Sequence, residues 1–373
     1  MAHPLANKIT SQTADLMAQG LLRQRTVATE ADDIIDFSHN DYLGLATEPA
    51  LAEALFEGAK RYGVGSKASP LVSGYTQAHF ALEQRLCEIT GHLACMLFCS
   101  GFSANSALMN TLFDQHDVVI ADKLVHASII DGIQQSQAKL VRFLHNDVAS
   151  AANYLSKHPQ CVVVTESIFS MDGDIAPLAE LSALCQQHKS WLIVDDAHGF
   201  GVLPADVVNA QRVDIQVVTF GKALGCQGAA ILASQQVIDF LVAKARHYIY
   251  STALSPANAH VALAAVNLLH SEPERVQALH HNIAVFRQLA CNKGIQLTPS
   301  NSAIQAVIIG DNATTMVIAE ALLEHGFKVG AIRSPTVPKG QARLRITLNA
   351  LHQAQHIDGL VTHLAAIIHR TNS

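Results

Sequence analysis

The sequence predicts an α/β fold: a large domain with a mostly parallel sheet covered by helices, followed by a smaller C-terminal α/β domain. Three observations support this prediction. Short apolar runs rich in β-branched residues recur between residues 94 and 220, segments of helical pattern separate them, and the pattern changes after about residue 256. Continuous apolar strands joined by helical crossovers are typical of parallel sheets buried on both faces. At 373 residues and 49% hydrophobic residues, the chain is long enough for both domains.

Periodicity and capping signals place the elements along the chain. A polar helix is expected at about residues 12–25, a turn at "HNDYLGLA", and an amphipathic helix at "TQAHFALEQRLCEITG" that ends at Gly91. The predicted strands of the sheet, with helices between them, are residues 94–100, 117–122, 161–166, 191–196 and 215–220. We expect seven strands in the complete sheet.

The C-terminal part has a different order of elements. Long helices are expected from residue 256 to residue 292, followed by the strand "AIQAVIIG", a capped helix, "FKVGAIR", a proline-rich loop and the strand "ARLRITLNA". The last helix is amphipathic, with an apolar face made of Ile357, Leu360, Val361, Leu364 and Ile368. The predicted division is an N-terminal helix and arm (1–45), a large domain (46–268) and a small domain (269–373).

Composition excludes several classes of function. No uninterrupted apolar run approaches the roughly 20 residues that span a bilayer, so we expect a cytoplasmic protein without a membrane partner. The net charge of −6 and the lack of a basic run argue against a nucleic-acid partner. The seven cysteines form no C-x-x-C pair, and we interpret them as reduced core thiols. The 20 histidines show no metal-site spacing in acidic company, so no metal is expected.

Chemically reactive side chains follow three of the predicted strands. "VVVT" is followed by Glu166, "WLIV" by "DDAH" with Asp195 and His198, and "VVTF" by a glycine and Lys222. Ligands of open parallel sheets bind outside the carboxyl ends of the strands. After residues 94–100, "SGFSAN" is a small-residue turn that opens a helix, and such a turn suits a phosphate.

A lysine, a carboxylate, an anion site and a flat side chain are the groups that pyridoxal phosphate needs. Lys222 would hold the cofactor aldehyde, Asp195 would keep the pyridine nitrogen protonated, and His126 in "DKLVHASIIDG" would stack on the ring. Taken singly, each group also has a structural interpretation. Lys222 could be a solvated turn residue and Asp195 a turn or capping acid. The combination at one sheet edge favours the cofactor site.

Alternation in "ARLRITL" puts Arg343, Arg345 and Thr347 on one face of a strand. This face is either an ordinary solvated surface or a clamp for a carboxylate, which a planar guanidinium binds through two parallel hydrogen bonds. The two interpretations stay open on the sequence alone.

Motifs spread over nearly the whole chain resemble the α-oxoamine synthases, a family of pyridoxal-phosphate enzymes with the fold-type I architecture. The matching stretches are "NDYLGL", "SGY", "SGFSAN", "HAS", "ESIFSMDGDIAPL", "VDDAHGFG", "TFGKALG", "IYST" and "AIRSPTVPKGQARLRITLNALH". The last of these is similar to the branch that forms 8-amino-7-oxononanoate. The chain departs from the family pattern at Lys67 and Ala68, and in a shortened loop after Gly201.

The resemblance implies a role for each matching position. The implied roles are Lys222 as the Schiff-base lysine and base, Asp195 at the pyridine nitrogen, His126 stacked on the ring, Ser170 and His198 at its phenolic edge, Gly101, Phe102 and Thr219 at the phosphate, Thr252 reaching in from a second subunit, Arg345 at the amino-acid carboxylate, Arg23 and Thr336 near the acyl substrate, and Asn40 and Glu166 in supporting positions.

The same resemblance implies an acyltransferase of biotin biosynthesis. The expected reaction is decarboxylative condensation of L-alanine with pimeloyl-CoA or pimeloyl-carrier protein, in a homodimer with active sites at the subunit interface. Glycine C-acetyltransferase is the alternative within the family, and an aminotransferase would share Lys222 and Asp195. In a non-catalytic protein, Lys222 would form a structural ion pair with Glu166 or Asp195.

Overall fold

The computed structural model describes residues 3–23, 25, 27 and 34–371. The helices are α1 (Pro4–Ala18), α2 (Pro49–Tyr62), α3 (Gln77–Thr90), α4 (Gly101–Leu112), α5 (Ala127–Ser136), α6 (Val148–Lys157), α7 (Leu178–His188), α8 (Gln235–Lys244), α9 (Arg246–Ile249), α10 (Pro256–Ser271), α11 (Pro273–Asn292), α12 (Asn312–Glu324) and α13 (Ala354–Thr371). The strands are β1 (Ile35–Phe37), β2 (Ala94–Phe98), β3 (Val118–Asp122), β4 (Lys139–Phe143), β5 (Val162–Glu166), β6 (Trp191–Asp195), β7 (Ile215–Thr219), β8 (Ala229–Ala233), β9 (Ile304–Gly310), β10 (Phe327–Ile332) and β11 (Ala342–Thr347).

Seven strands form the large sheet in the order β2-β8-β7-β6-β5-β3-β4. All neighbours are parallel except β8, which runs antiparallel to both β2 and β7. The prediction of a mostly parallel, seven-stranded sheet is therefore confirmed. Because β5, β6 and β7 are consecutive and parallel, their carboxyl ends lie side by side, with Glu166 paired to Asp195 in register.

Four strands form the second sheet in the order β1-β10-β11-β9. The short strand β1 pairs in parallel with β10, so the N-terminal segment completes the C-terminal sheet. The apolar face of α13 is buried at Ile357, Leu360, Val361 and Leu364, as the periodicity predicts. The boundaries at residues 45 and 268 stay predictions.

The first helix differs from its prediction. α1 spans Pro4–Ala18 instead of residues 12–25. Its start is set by Pro4 and by the His3 side chain, which accepts a hydrogen bond from the backbone N–H of Leu5. It ends before Gly20, whose φ of +64° is unsuited to helix continuation.

All seven cysteines are free, but the prediction of core thiols is wrong for two of them. Cys95 and Cys185 are buried, whereas Cys99 and Cys291 are exposed because they lie just past a strand and at the end of a helix. Within the described part of the chain, no helix has the length and apolarity that crossing a membrane requires.

Candidate active site

A cavity of about 410 Å³ lies at the carboxyl ends of the central strands. The predicted site residues that line it are Asn40, Gly101, Phe102, His126, Glu166, Asp195, His198, Thr219 and Lys222. They come from six separate stretches of sequence, and the sheet order brings them together. Ser170, Thr252, Arg23, Thr336 and Arg345 do not line this cavity.

Lys222 stands on the nine-residue turn, residues 220–228, between the antiparallel strands β7 and β8. Backbone hydrogen bonds from Phe220 to Gly228 (2.8 Å) and from Gly225 to the Lys222 carbonyl (2.9 Å) close the turn. Gly225 has a φ of +61°, and a Cβ there would lie 2.3 Å from the backbone nitrogen of Ala46. The glycine is therefore required for the turn that presents the lysine.

Burial lowers the pKa of the Lys222 ammonium, and the positive charge of Arg345 acts in the same direction. The carboxylates of Asp195 and Glu166 oppose this shift without cancelling it. No ion pair shorter than 4 Å joins Lys222 to either carboxylate, although the structure describes all three residues. This geometry argues against a purely structural ion pair and favours an amine available for chemistry.

Asp195 is held as a fixed carboxylate at the floor of the cavity. Its Oδ1 accepts the backbone N–H of Ala197 (3.0 Å) and its Oδ2 accepts the Asn105 side chain (2.7 Å). Asn105 also donates to the Ser128 hydroxyl, which lies 2.7 Å from Nδ1 of His126. Sequence reasoning missed Asn105 and Ser128 as site residues. Asn105 stands four residues after Gly101, so one helical turn puts it on the same face of α4.

His198 is buried in the wall of the cavity that Lys222 also lines, and its Nδ1 lies 2.5 Å from the Tyr42 hydroxyl. Burial lowers the pKa of His198 well below its usual value, and nearby Lys222 and Arg345 lower it further. The imidazole is therefore neutral at physiological pH. Tyr42 was not predicted, although "NDYLGL" contains it, because only contact with His198 reveals its role.

The N-terminus of α4 lies at the cavity, where the sequence predicts an anion site. The first N–H groups of a helix lack intrahelical partners and point outward, which favours a phosphate. Gly101 is the first residue of this helix, and a Cβ on it would lie 2.5 Å from Cγ2 of Thr219. The cavity volume, this close approach and the carboxylate of Asp195 all fit pyridoxal phosphate.

Arg345 lies on β11 beside the cavity. Its Nε donates to the Ser170 carbonyl (2.7 Å), and its Nη2 donates to Oδ1 of Asn40 (3.1 Å). Arg343 forms an ion pair with Asp172. Both arginines are buried, so the interpretation of this face as a solvated surface is wrong. Ser170 contacts Arg345 through its backbone carbonyl, and its side chain takes no part in this hydrogen bond.

Three predicted residues lie elsewhere. Arg23 donates to the Thr336 hydroxyl (2.8 Å) at the edge of a separate cavity of about 440 Å³ that Arg333 also lines. Thr252 is exposed, and its carbonyl accepts a weak hydrogen bond from the thiol of Cys99. Cys99 lines both the main cavity and the small cavity beside Thr252.

The chain is similar to known proteins in sequence and in fold. The aminotransferase class I and II family matches residues 32–364. An 8-amino-7-oxononanoate synthase from Enterobacter sp. (strain 638) is 48% identical over 341 residues, covering 89% of this chain and 88% of the relative. The chain belongs to the 8-amino-7-oxononanoate synthase family. A solved member of this family, from Francisella tularensis, superimposes with a TM-score of 0.81 at 31% identity, covering 92% of this chain and 100% of that structure.

A second type of solved structure extends the comparison beyond the 8-amino-7-oxononanoate synthase family. A serine palmitoyltransferase from S. paucimobilis with a bound PLP-myriocin aldimine has a TM-score of 0.89 at 26% identity, with both chains fully covered. The predicted family, fold-type I architecture, acyltransferase class and pyridoxal-phosphate dependence are confirmed by these similarities. The roles of individual residues stay predictions.

Proposed function

We propose that this protein condenses L-alanine with a pimeloyl thioester, of coenzyme A or of a carrier protein, in biotin biosynthesis. The products are 8-amino-7-oxononanoate, carbon dioxide and the free thiol, and the cytoplasm is the expected location. The observation that carries the proposal is one cavity in which Lys222 and a hydrogen-bonded Asp195 face an α4 N-terminus, with Arg345 beside its wall.

Pyridoxal phosphate, when bound, supplies a reversible covalent link for an amino group and a sink for the electrons of a broken Cα bond. Lys222 would hold its aldehyde, Asp195 its pyridine nitrogen, and His126 one face of its ring. The N-terminus of α4 would hold the phosphate. His198 would contact the phenolic edge, whereas Ser170, which was predicted at the same edge, does not line the cavity.

Arg345 binds the carboxylate of alanine and fixes its orientation. The amino group of alanine would first displace Lys222 from the cofactor aldehyde. Lys222, whose lowered pKa favours the neutral amine, would then take the proton from Cα. Asp195 would pair with the pyridine nitrogen of the bound cofactor and keep a proton there, which would stabilise the electron pair left on Cα. The new bond joins Cα to the thioester carbonyl carbon. The C–S bond breaks, and the sulfur leaves with the bonding electrons and takes a proton from solvent.

The second half of the reaction returns the site to its starting state. The bond from Cα to the carboxylate breaks, and carbon dioxide leaves. The protonated Lys222 then returns its proton to Cα, so the same side chain acts first as base and later as acid. His198 stays neutral beside Tyr42 and donates or accepts hydrogen bonds without adding a charge.

The acyl substrate and the second subunit complete the proposal. Arg23 and Thr336 would lie near the acyl chain, and their mutual hydrogen bond supports a joint site. Large apolar side chains are exposed on the segments that line the small cavity beside Thr252, including Val72 (78%) and Tyr250 (72%). Such exposure is expected of a surface that a second copy covers, and it supports a homodimer in which Thr252 reaches the partner's cavity.

Thiol release tests the proposed substrates. The holoenzyme is incubated with L-alanine or glycine and with pimeloyl-CoA, pimeloyl-carrier protein or acetyl-CoA, while free thiol and the cofactor spectrum are followed. We expect the fastest release with L-alanine and a pimeloyl donor. Faster release with glycine and acetyl-CoA would indicate glycine C-acetyltransferase. Conversion of the cofactor to its amine form without thiol release would indicate an aminotransferase.

A further inference from the structure

His145 joins two loops at the same edge of the seven-stranded sheet, outside the cavity wall. It follows β4, and its Nδ1 lies 2.9 Å from Oδ1 of Asp122 at the end of β3. Its Nε2 lies 2.6 Å from Oδ2 of Asp174, in the loop that follows β5. One imidazole therefore links the ends of three strands that are neighbours in the sheet.

His145 is a cation at physiological pH. Burial lowers its pKa, but the hydrogen bonds and charges of Asp122 and Asp174 outweigh burial and raise the pKa to about 10. A protonated imidazole donates from both nitrogens, which matches a carboxylate on each side. The ring also packs edge-on against the buried Phe169, with 4.4 Å between ring centroids.

The two carboxylates differ in how firmly the rest of the protein holds them. Asp122 also accepts the backbone N–H groups of Leu124 and Asn146, both at 2.8 Å, so its position has independent support. The Asp174 side chain is held by His145 and by the Asn146 amide (2.6 Å). Loss of His145 should therefore loosen the Asp174 side of the link more than the Asp122 side.

Asp174 belongs to a short hairpin, residues 167–176, whose tip contacts the four-stranded sheet. The hairpin is closed by the backbone hydrogen bond from Ala176 to Ser167 (3.1 Å). At its tip the Ser170 carbonyl accepts the Arg345 Nε, and Asp172 pairs with Arg343. The hairpin thus connects the sheet that carries Lys222 to the sheet that carries Arg345.

We propose that His145 is a positioning residue for amino-acid binding: by holding the 167–176 hairpin to the large sheet, it fixes Arg345 relative to Lys222. The proposal rests on the proposed role of Arg345 as the group that binds the substrate carboxylate. His145 touches neither substrate nor cofactor, and it acts through Asp174 and the Ser170 carbonyl.

The test compares His145→Gln with His116→Gln, an exposed histidine at the opposite end of β3. L-alanine is titrated into each holoenzyme without acyl donor, and the cofactor absorption gives the Kd. Glutamine cannot donate to both carboxylates, so we expect Kd and KM for L-alanine to rise about tenfold, as for other residues that orient a binding group. The kcat should change by less than about twofold, because a displaced Arg345 weakens binding in the ground state and the transition state alike. His116→Gln should match the wild type.

A double-mutant cycle with Asp174→Asn separates positioning from general destabilisation. Both single changes break the same link, so the double variant should bind L-alanine no more weakly than the weaker single variant. Asp174→Asn also replaces His145→Gln as the main test if the latter does not fold. The proposal would be overturned if the Kd of the double variant for L-alanine rose by the product of the two single effects. It would also be overturned if kcat fell by as large a factor as KM rose.

Arg345→Lys distinguishes failure of this proposal from failure of the function. If Arg345→Lys weakens alanine binding while His145→Gln and Asp174→Asn leave it unchanged, His145 has no positioning role and the function stands. If Arg345→Lys binds L-alanine as tightly as the wild type does, Arg345 does not hold the carboxylate of the substrate. The proposed role of His145 is then wrong as well.

Discussion

Two cavities of nearly equal volume lie on opposite sides of the segment that follows β6. The cavity of about 410 Å³ holds Lys222, Asp195 and His198. The cavity of about 400 Å³ behind it has mostly apolar walls, including Val202, Leu203, Val208, Val266, Leu269 and Val276. The two cavities differ in the residues that line them and not in volume. Volume alone therefore does not mark a catalytic site, whereas converging charged groups do.

Two adjacent aspartates illustrate the difference. Asp195 and Asp196 project to opposite sides because successive side chains alternate along an extended strand. Asp195 lines the cavity with Lys222 and accepts hydrogen bonds from Asn105 and Ala197. Asp196 lines the apolar cavity, where its Oδ2 accepts the Gln216 amide (2.7 Å) and burial raises its pKa to about 7. The same side chain is thus placed in two different electrostatic environments.

Replacing Lys222 is expected to have the largest effect. Lys222→Ala removes the amine that would hold the cofactor and move the Cα proton, so turnover and the visible absorption of the holoenzyme should both disappear. Lys123→Ala, an exposed lysine after β3, is the matched control and should retain both. Thiol release and an absorption spectrum measure the two properties. A Lys222→Ala enzyme that kept its turnover would refute the assignment.

Asparagine at each of the two aspartates sharpens the comparison. Asp195→Asn keeps the shape of the side chain but removes the charge at the pyridine nitrogen, so kcat should fall roughly 10²- to 10³-fold, as for loss of one preorganised electrostatic group. Asp196→Asn should lower kcat by less than about tenfold, which corresponds to ~1.4 kcal/mol. Steady-state kinetics with L-alanine measure both. An equal loss of kcat in the two variants would mean that the side of the strand on which an aspartate lies does not determine its role in catalysis.

The sequence predicted the centre of the site because the chemistry there lies in continuous motifs at the ends of buried strands. Lys222, Asp195, His198 and His126 lie at the ends of apolar strands or within four residues of them, and the sheet brings them into one cavity. Asn105 escaped prediction because its function depends on contact with Asp195, which is 90 positions away in the chain. Contacts of this kind come from tertiary structure, not from local pattern.

Charged residues on an edge strand and on a buried strand account for two further differences. β4 was not predicted because Lys139 and Arg142 interrupt its apolar residues, and an edge strand commonly carries such charges. The alternation around Arg343 is compatible with a solvated face. The Arg343 side chain is nevertheless buried, because Asp172, in the hairpin after β5, neutralises its charge. The sequence pattern of β11 contains no sign of that partner.

The smallest expected effect is a change in the pH dependence of stability at Asp196. Its pKa of about 7 in the folded protein exceeds the value of about 3.9 for an unfolded chain. The folded state therefore binds this proton more tightly. The contribution of the Asp196 proton to the free energy of unfolding is complete at low pH, declines as pH rises towards 7, and is absent above it.

The variant Asp196→Asn tests this pH dependence because asparagine does not titrate. Between pH 5 and pH 7 the Tm of Asp196→Asn should thus rise relative to the wild type by about 1–3 °C and then level off. Thermal unfolding across this range, with the exposed Asp206→Asn as control, measures the difference. Parallel Tm curves for the wild type and Asp196→Asn would show that the apolar cavity does not perturb its carboxyl group.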